Sequence, residues 1–206
     1  LGILEPPGEI WAAVETGALA GPEPANFGED VAFLNKHTEV VVLSDKSGNA
    51  KVAIAPAWQG RVMTSTAKGD LGQSFGWINR ELIASGKLVP HINVFGGEDR
   101  FWLGPEGGQF SIFFAKGAAF DLEHWFTPAP IDTEPFKLAK QDKSQARFQH
   151  AFTLTNYSGT VFQVKVNRAV RLLDNRTAWQ KLGCAPSPKL SMVAFESDNE
   201  ITNAGK

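Results

Sequence analysis

Residue types that move protons and grip polar ligands are concentrated between positions 91 and 109. His91, Glu98, Asp99, Arg100, Trp102, Glu106 and Gln109 lie there among Gly96, Gly97, Gly104, Gly107 and Gly108. Glycine lets a backbone bend sharply, so charged side chains on such a loop can converge on one point. Arg100, flanked by Glu98 and Asp99, carries a planar fork suited to sugar hydroxyls, a phosphate or a carboxylate. The competing reading is a local ion-pair cluster that holds the loop. Glu106, on a Gly-Pro-Glu-Gly-Gly turn, is either a general acid or base or a simple turn acid. His91 offers an imidazole, the side chain best suited to a proton shuttle, with a hydrogen-bonded structural histidine as the plain alternative. His91 and Glu106 are therefore the catalytic candidates. The ligand-binding candidates are Arg61, Glu98, Asp99, Arg100, Trp102, Gln109, His124 and Trp125. The two tryptophans would stack on the apolar face of a pyranose or pack in the core. His91, Glu98, Asp99 and Glu106 also offer metal-binding atoms. Their spacing makes no tight ligand set, so no metal and no cofactor is expected.

The elements that must position these residues read mostly as strands. Residues 1–38 form an N-terminal extension with short helices, one over Glu9 to Leu19 and one over Phe27 to Asn35. The second is capped by Asn26, with Glu29 and Asp30 in its first turn. Gly21-Pro22-Glu23-Pro24 separates them, because proline cannot continue a helix. Residues 39–206 read as a single β-sandwich domain. Val40 to Ser44 and Lys51 to Pro56 are β-branched runs around the hairpin loop Asp45-Lys46-Ser47-Gly48-Asn49, and Arg61 to Thr66 is a third strand. Trp77 to Gly86 suits a helix ended by Gly86. Further strands are expected over Gln109 to Phe114, Phe120 to Leu122, Phe136 to Lys140, Ala146 to Asn156, Val161 to Leu173 and Leu190 to Glu196. In Val161 to Leu173, Phe162, Val164 and Val166 alternate with Gln163, Lys165 and Asn167, the mark of an antiparallel strand with one dry and one wet face.

The bulk composition excludes several classes. Twenty basic against 22 acidic residues give a net charge of −2, which offers no attraction to nucleic acid or an anionic membrane. No apolar run approaches the roughly 18 residues needed to span a bilayer. The only cysteine, Cys184, allows neither an internal disulfide nor a multi-cysteine zinc site. No P-loop, dinucleotide fingerprint, Gly-x-Ser-x-Gly elbow or His-Glu-x-x-His motif occurs. Fifteen phenylalanines and six tryptophans against one tyrosine suit a β-core with tryptophans left over for sugar faces. The chain starts at Leu1, which fits a cleaved signal peptide as well as a trimmed tag. Both a periplasmic or secreted and a cytoplasmic location are compatible with that.

Four stretches carry a family resemblance. Val52-Ala53-Ile54-Ala55-Pro56 leads into Gln59-Gly60-Arg61-Val62. Gly96-Gly97-Glu98-Asp99-Arg100-Phe101-Trp102 follows, then Pro130-Ile131-Asp132-Thr133-Glu134-Pro135-Phe136, then the turn Asn156-Tyr157-Ser158-Gly159-Thr160 between two long strands. Together, over roughly residues 40 to 195, they resemble the galactose mutarotase-like superfamily, which includes aldose 1-epimerases. The glycine-rich runs look most like an uncharacterised bacterial branch. The resemblance implies an antiparallel β-supersandwich and a carbohydrate or sugar derivative as ligand. It departs from the epimerases in three places. Gly96 stands where they carry a histidine, His150-Ala151-Phe152 is a poor match for their second histidine motif, and their late glutamate base has no counterpart before Lys206. The expectations are therefore a sandwich incomplete at its C-terminal side, sheet edges covered by a second copy, and sugar binding ranked above epimerase-like turnover. A structural or interaction domain without a small ligand is the third alternative.

Overall fold

The computed structural model describes residues 25–205, so the helix expected over Glu9 to Leu19 lies outside the described residues. The protein is mainly β, with two antiparallel sheets and few helices. The first sheet has the order β1 (Val41–Ser44), β2 (Lys51–Ala55), β3 (Arg61–Thr66). The second has the order β4 (Lys137–Gln141), β5 (Gln145–Thr155), β6 (Val161–Leu172), β7 (Phe195–Asn203).

One hydrophobic core joins the sheets. Val41, Leu43, Val52, Ile54 and Val62 from the first meet Phe148, Leu154, Val166, Val170 and Leu172 from the second, with Phe101, Phe113, Ile131 and Phe136 between them. On the other face of the first sheet, Ala55 and Met63 pack against Leu34 of helix α1 (Phe27–Leu34) and Ile83 of helix α2 (Arg80–Ser85), together with Trp58 and Phe95. The first sheet is thus covered on both sides. That is why all six residues of β3 are buried and why its sequence does not alternate. The second sheet behaves differently: β5 and β6 alternate buried and exposed residues along much of their length, as the sequence pattern requires.

Local chemistry fixes the helices. Asn26 accepts the Glu29 amide at 2.9 Å, and Glu29 accepts the Asn26 amide at 3.1 Å, a complete capping box at the expected place. Asp30 in the first turn of α1 pairs with Arg80 at the start of α2 and so ties the two helices together. Helix α2 is capped by Asn79 and ends at Gly86 (φ 61°), shorter at its start than the expected helix from Trp77.

Three expectations are corrected. Residues 109–114 and 120–122 are turns and coil rather than strands. Phe113, Phe114 and Phe120 are held by ring contacts instead of a ladder, and Phe110 is exposed: Phe114 meets Phe120 edge-on at 4.9 Å, and Phe120 meets Tyr157 at 4.5 Å. The last strand is Phe195–Asn203, beginning where the expected Leu190 to Glu196 strand was to end. Between β6 and β7 lies a further helix, α3 (Asn175–Leu182), capped by Asp174 and ended by Gly183. The sequence reading contained no such helix.

Candidate functional site

The glycine-rich segment lies along β3. Gly97 donates its amide to Trp77 (2.8 Å) and Glu98 to Val62 (2.8 Å), while Val62 donates to Asp99 (2.9 Å). Gly96 (φ 91°) and Gly97 (φ 107°) make this approach possible. A Cβ on Gly96 would lie 2.2 Å from the Trp77 carbonyl oxygen, and one on Gly97 would lie 2.7 Å from that of Val62. The bend aims successive side chains at different targets. Glu98 turns outward, and Asp99 turns in to pair with the buried Arg168 of β6. Arg100 lies 4.1 Å over the Trp102 ring, donates to the Ile131 carbonyl at 2.9 Å and stands 3.6 Å from Asp132.

Glu98 borders an open groove of about 460 Å³ lined by Ser65, Phe75, Ser191, Met192, Val193, Ala194 and Phe195. Ser65 donates its hydroxyl to Glu98 at 2.9 Å. Burial of the carboxyl end pushes the Glu98 pKa up, against the Ser65 hydrogen bonds that pull it down, although the residue as a whole stays exposed. Phe75 offers an exposed ring at the same groove. Larger hollows of about 660 and 670 Å³ lie beside α3 and beside Asp45 and Lys143. Neither contains any of the candidate catalytic or ligand-binding residues, and among the described residues the groove at Glu98 is the one that combines a shifted carboxyl with an exposed aromatic ring.

The other sequence candidates are engaged elsewhere. His91, in a left-handed conformation (φ 68°), donates Nδ1–H to the Trp125 carbonyl at 2.6 Å, since a carbonyl can only accept. Its ring stacks on Phe126 at 4.4 Å. Glu106 accepts Nε1–H of Trp102 at 2.8 Å. The contacts linking the two catalytic candidates run from Glu106 through Trp102, Phe113 and Trp125 to His91, with ring separations of 5.2 and 5.1 Å. They are joined through three aromatic residues, the last link being the Trp125 backbone carbonyl, and each is taken up by its own hydrogen bond. Trp102 and Trp125 serve mainly as packing around Phe113. His124 sits on the surface with Asp121 at 2.6 Å, a contact that raises its pKa. The backbone carbonyl of Gln109 accepts the Ser158 amide and hydroxyl at 3.1 and 2.7 Å.

Arg61 is buried at the start of β3, where Nη1 donates to the Gly96 carbonyl at 3.0 Å. Burial pushes its pKa down to about 9. The nearby charges of Arg100 and Arg168 act in the same direction, and Asp132 opposes them. Sequence reasoning found Glu98 but missed Ser65, Phe75 and the Ser191–Phe195 wall. The hydroxyl run Thr64-Ser65-Thr66 and the turn before Phe75 were the only signals available. Among the described residues, no three His, Cys, Asp or Glu side chains gather as a metal site.

A profile described as a family of unknown function (DUF6786) matches residues 25–206. No curated protein and no solved structure matches the chain.

Proposed function

The chain belongs to the DUF6786 family of unknown function, and on that footing we propose that it is a carbohydrate-binding protein of the galactose mutarotase-like kind, with the groove at Glu98 as its sugar site. The observation that carries the reading is the Glu98 carboxyl, held above its ordinary pKa beside Ser65, facing a groove of about 460 Å³ rimmed by exposed Phe75. A sugar presents hydroxyls on its rim and C–H groups on its face. A carboxylate and a hydroxyl serve the rim, and an aromatic ring serves the face. Two antiparallel sheets around one core, and the long β5–β6 pair joined by the Asn156–Thr160 turn, support the supersandwich reading.

Among the described residues, Glu98 is the only titratable group lining the groove. Opening a sugar ring needs an acid and a base on different sides of it, so binding ranks above turnover. The raised carboxyl pKa is nonetheless what a proton-transfer group requires, and it supports aldose 1-epimerase-like chemistry as the second reading. A carboxylate as the sole charge also favours neutral sugars over uronic acids and sugar phosphates.

The test is a thermal-shift and NMR titration of the protein with neutral monosaccharides, uronic acids and sugar phosphates, beside Glu98→Gln and Phe75→Ala. A neutral sugar should stabilise the parent protein and bind at least about tenfold more weakly to each variant, a loss of about 1.4 kcal/mol. Equal binding by both folded variants, or no response to any sugar, would sink the reading. Polarimetry on the sugar that binds then separates binding from mutarotation.

A further inference from the structure

The outer face of the second sheet carries a polar hollow that shares no residue with the groove at Glu98. Successive residues of a strand point to opposite faces. Arg147 and Gln149 of β5, with Asn167, Ala169 and Arg171 of β6, therefore turn away from the core that takes Phe148, Val166 and Val170. The ladder sets Arg147 beside Ala169 and Gln149 beside Asn167. β7 adds Asp198 opposite Ala169 and Glu200 opposite Asn167. Ala169 is the short residue among these long ones, and they line a hollow of about 370 Å³.

Most polar groups around the hollow have partners. Arg171 donates to Glu196 and to Asp198 at 3.1 Å each. Gln149 Nε2 donates to Asn167 Oδ1 at 2.8 Å, and Asn167 Nδ2 donates to Glu200 at 3.2 Å. Arg147 differs: among the described residues no carboxylate lies within ion-pair distance of it. Its register partner across the bulge in β4 is Lys140, and like charges facing each other across a ladder are unfavourable. An anion beside Arg147 relieves that repulsion.

An arginine fork offers two parallel N–H bonds, which match a carboxylate or a phosphate. Asp198 and Glu200, on the β7 side of the same hollow, repel a second negative charge, so a monoanion fits better than a phosphate dianion. These acids and Oε1 of Gln149 are acceptors, and they call for hydroxyl donors on the rest of the ligand. We propose that the hollow is a second binding site, for a small hydroxylated carboxylate of the sugar-acid class. Arg147 grips the carboxylate, and Gln149 and the acids of β7 accept the hydroxyls. The site does not depend on the reading of the Glu98 groove.

The test is an amide NMR titration of the protein with sodium glucuronate, glucose and a hexose phosphate at constant ionic strength, beside Arg147→Ala and Ala169→Leu. Glucuronate should give saturable shifts centred on Gln149, Asn167 and Ala169, and the other two should bind there at least about tenfold more weakly. Arg147→Ala should weaken glucuronate about tenfold, as expected for a lost charged hydrogen bond. Ala169→Leu should block binding by filling the hollow while every charge stays in place. Should Ala169→Leu not fold, Arg147→Ala decides by itself. The absence of a saturable shift at the hollow, equal affinity in Arg147→Ala, or glucose or hexose phosphate binding there as tightly as glucuronate would overturn the proposal. A sugar in the other groove moves the signals of Ser65 and Glu98 instead, and Glu98→Gln leaves the hollow intact. Failure of the sugar reading and failure of this site are therefore separate results.

Discussion

Glu98 works against the fold at neutral pH. Its carboxyl is pushed above the ordinary 4.5 because burial outweighs the Ser65 hydrogen bonds. A group whose folded pKa is raised favours the folded state while protonated. That contribution is present below 4.5 and is lost as pH rises through the folded pKa. Glu98→Gln should therefore be more stable than the parent at pH 7, and the difference should close as the pH falls toward 4.5, whereas the proposed sugar binding should weaken. Denaturant titrations at several pH values check this; a variant less stable at pH 7 would contradict it. Gly96 carries the opposite kind of constraint. Its φ of 91° and the 2.2 Å approach to the Trp77 carbonyl leave no room for a methyl group. Gly96→Ala should cost at least about 1 kcal/mol and should move the NMR signals of Glu98 with it. Unchanged stability would show that the turn is softer than its geometry implies.

Among the elements, those dictated by local patterns were legible and those dictated by tertiary covering were not. The alternation of β6 and the cap of α1 follow from side-chain period and from Asn26 three residues before Glu29, and both stand where expected. Asn26→Ala should cost about 1 kcal/mol in unfolding free energy, and Glu29→Ala should cost less, because it removes only the reciprocal bond. Phe110, Ile112, Phe113 and Phe114 read as a strand because an apolar aromatic run has the same composition whether it pairs in a ladder or stacks ring on ring. Only the neighbours Trp102, Trp125 and Tyr157 decide between the two. Most of the span of β7, past the expected end at Glu196, was not legible for the reverse reason. Phe195-Glu196-Ser197-Asp198-Asn199-Glu200 is too polar to announce a strand, yet an edge strand with a wet face needs few apolar residues. The candidate site shared both fates. Glu98 was visible as an acid on a glycine-rich loop. Ser65, Phe75 and the Ser191–Phe195 wall come from three distant stretches that only the packing of β3 against the approach to β7 brings together.

For the molecule as a whole, the open ends of the second sheet set how copies would meet. β7 ends the sheet on one side and β4 on the other, and neither carries a further strand among the described residues. Pairing β7 with itself antiparallel about Asn199 would set Asp198 opposite Glu200, and like charges facing each other across a ladder are unfavourable. β4 presents exposed Lys137 and Lys140. Its edge therefore complements the acidic β7 of a second copy, chiefly Glu200, because Glu196 and Asp198 already pair with Arg171 and Lys181 of their own chain. Association through these edges should run head to tail from β4 to β7. Such a contact joins two different edges, so it builds rings or open chains rather than a two-fold dimer, and larger species should appear as concentration rises. It should weaken with salt, since exposed charges are screened over about 10 Å at 0.1 M. Sedimentation velocity at rising protein concentration, in low and high salt, measures this. Lys137→Glu with Lys140→Glu should abolish the growth, and adding Glu200→Lys should restore part of it. A salt-insensitive dimer that survives the lysine reversals would show that the acidic charges on β7 do not govern how copies pair.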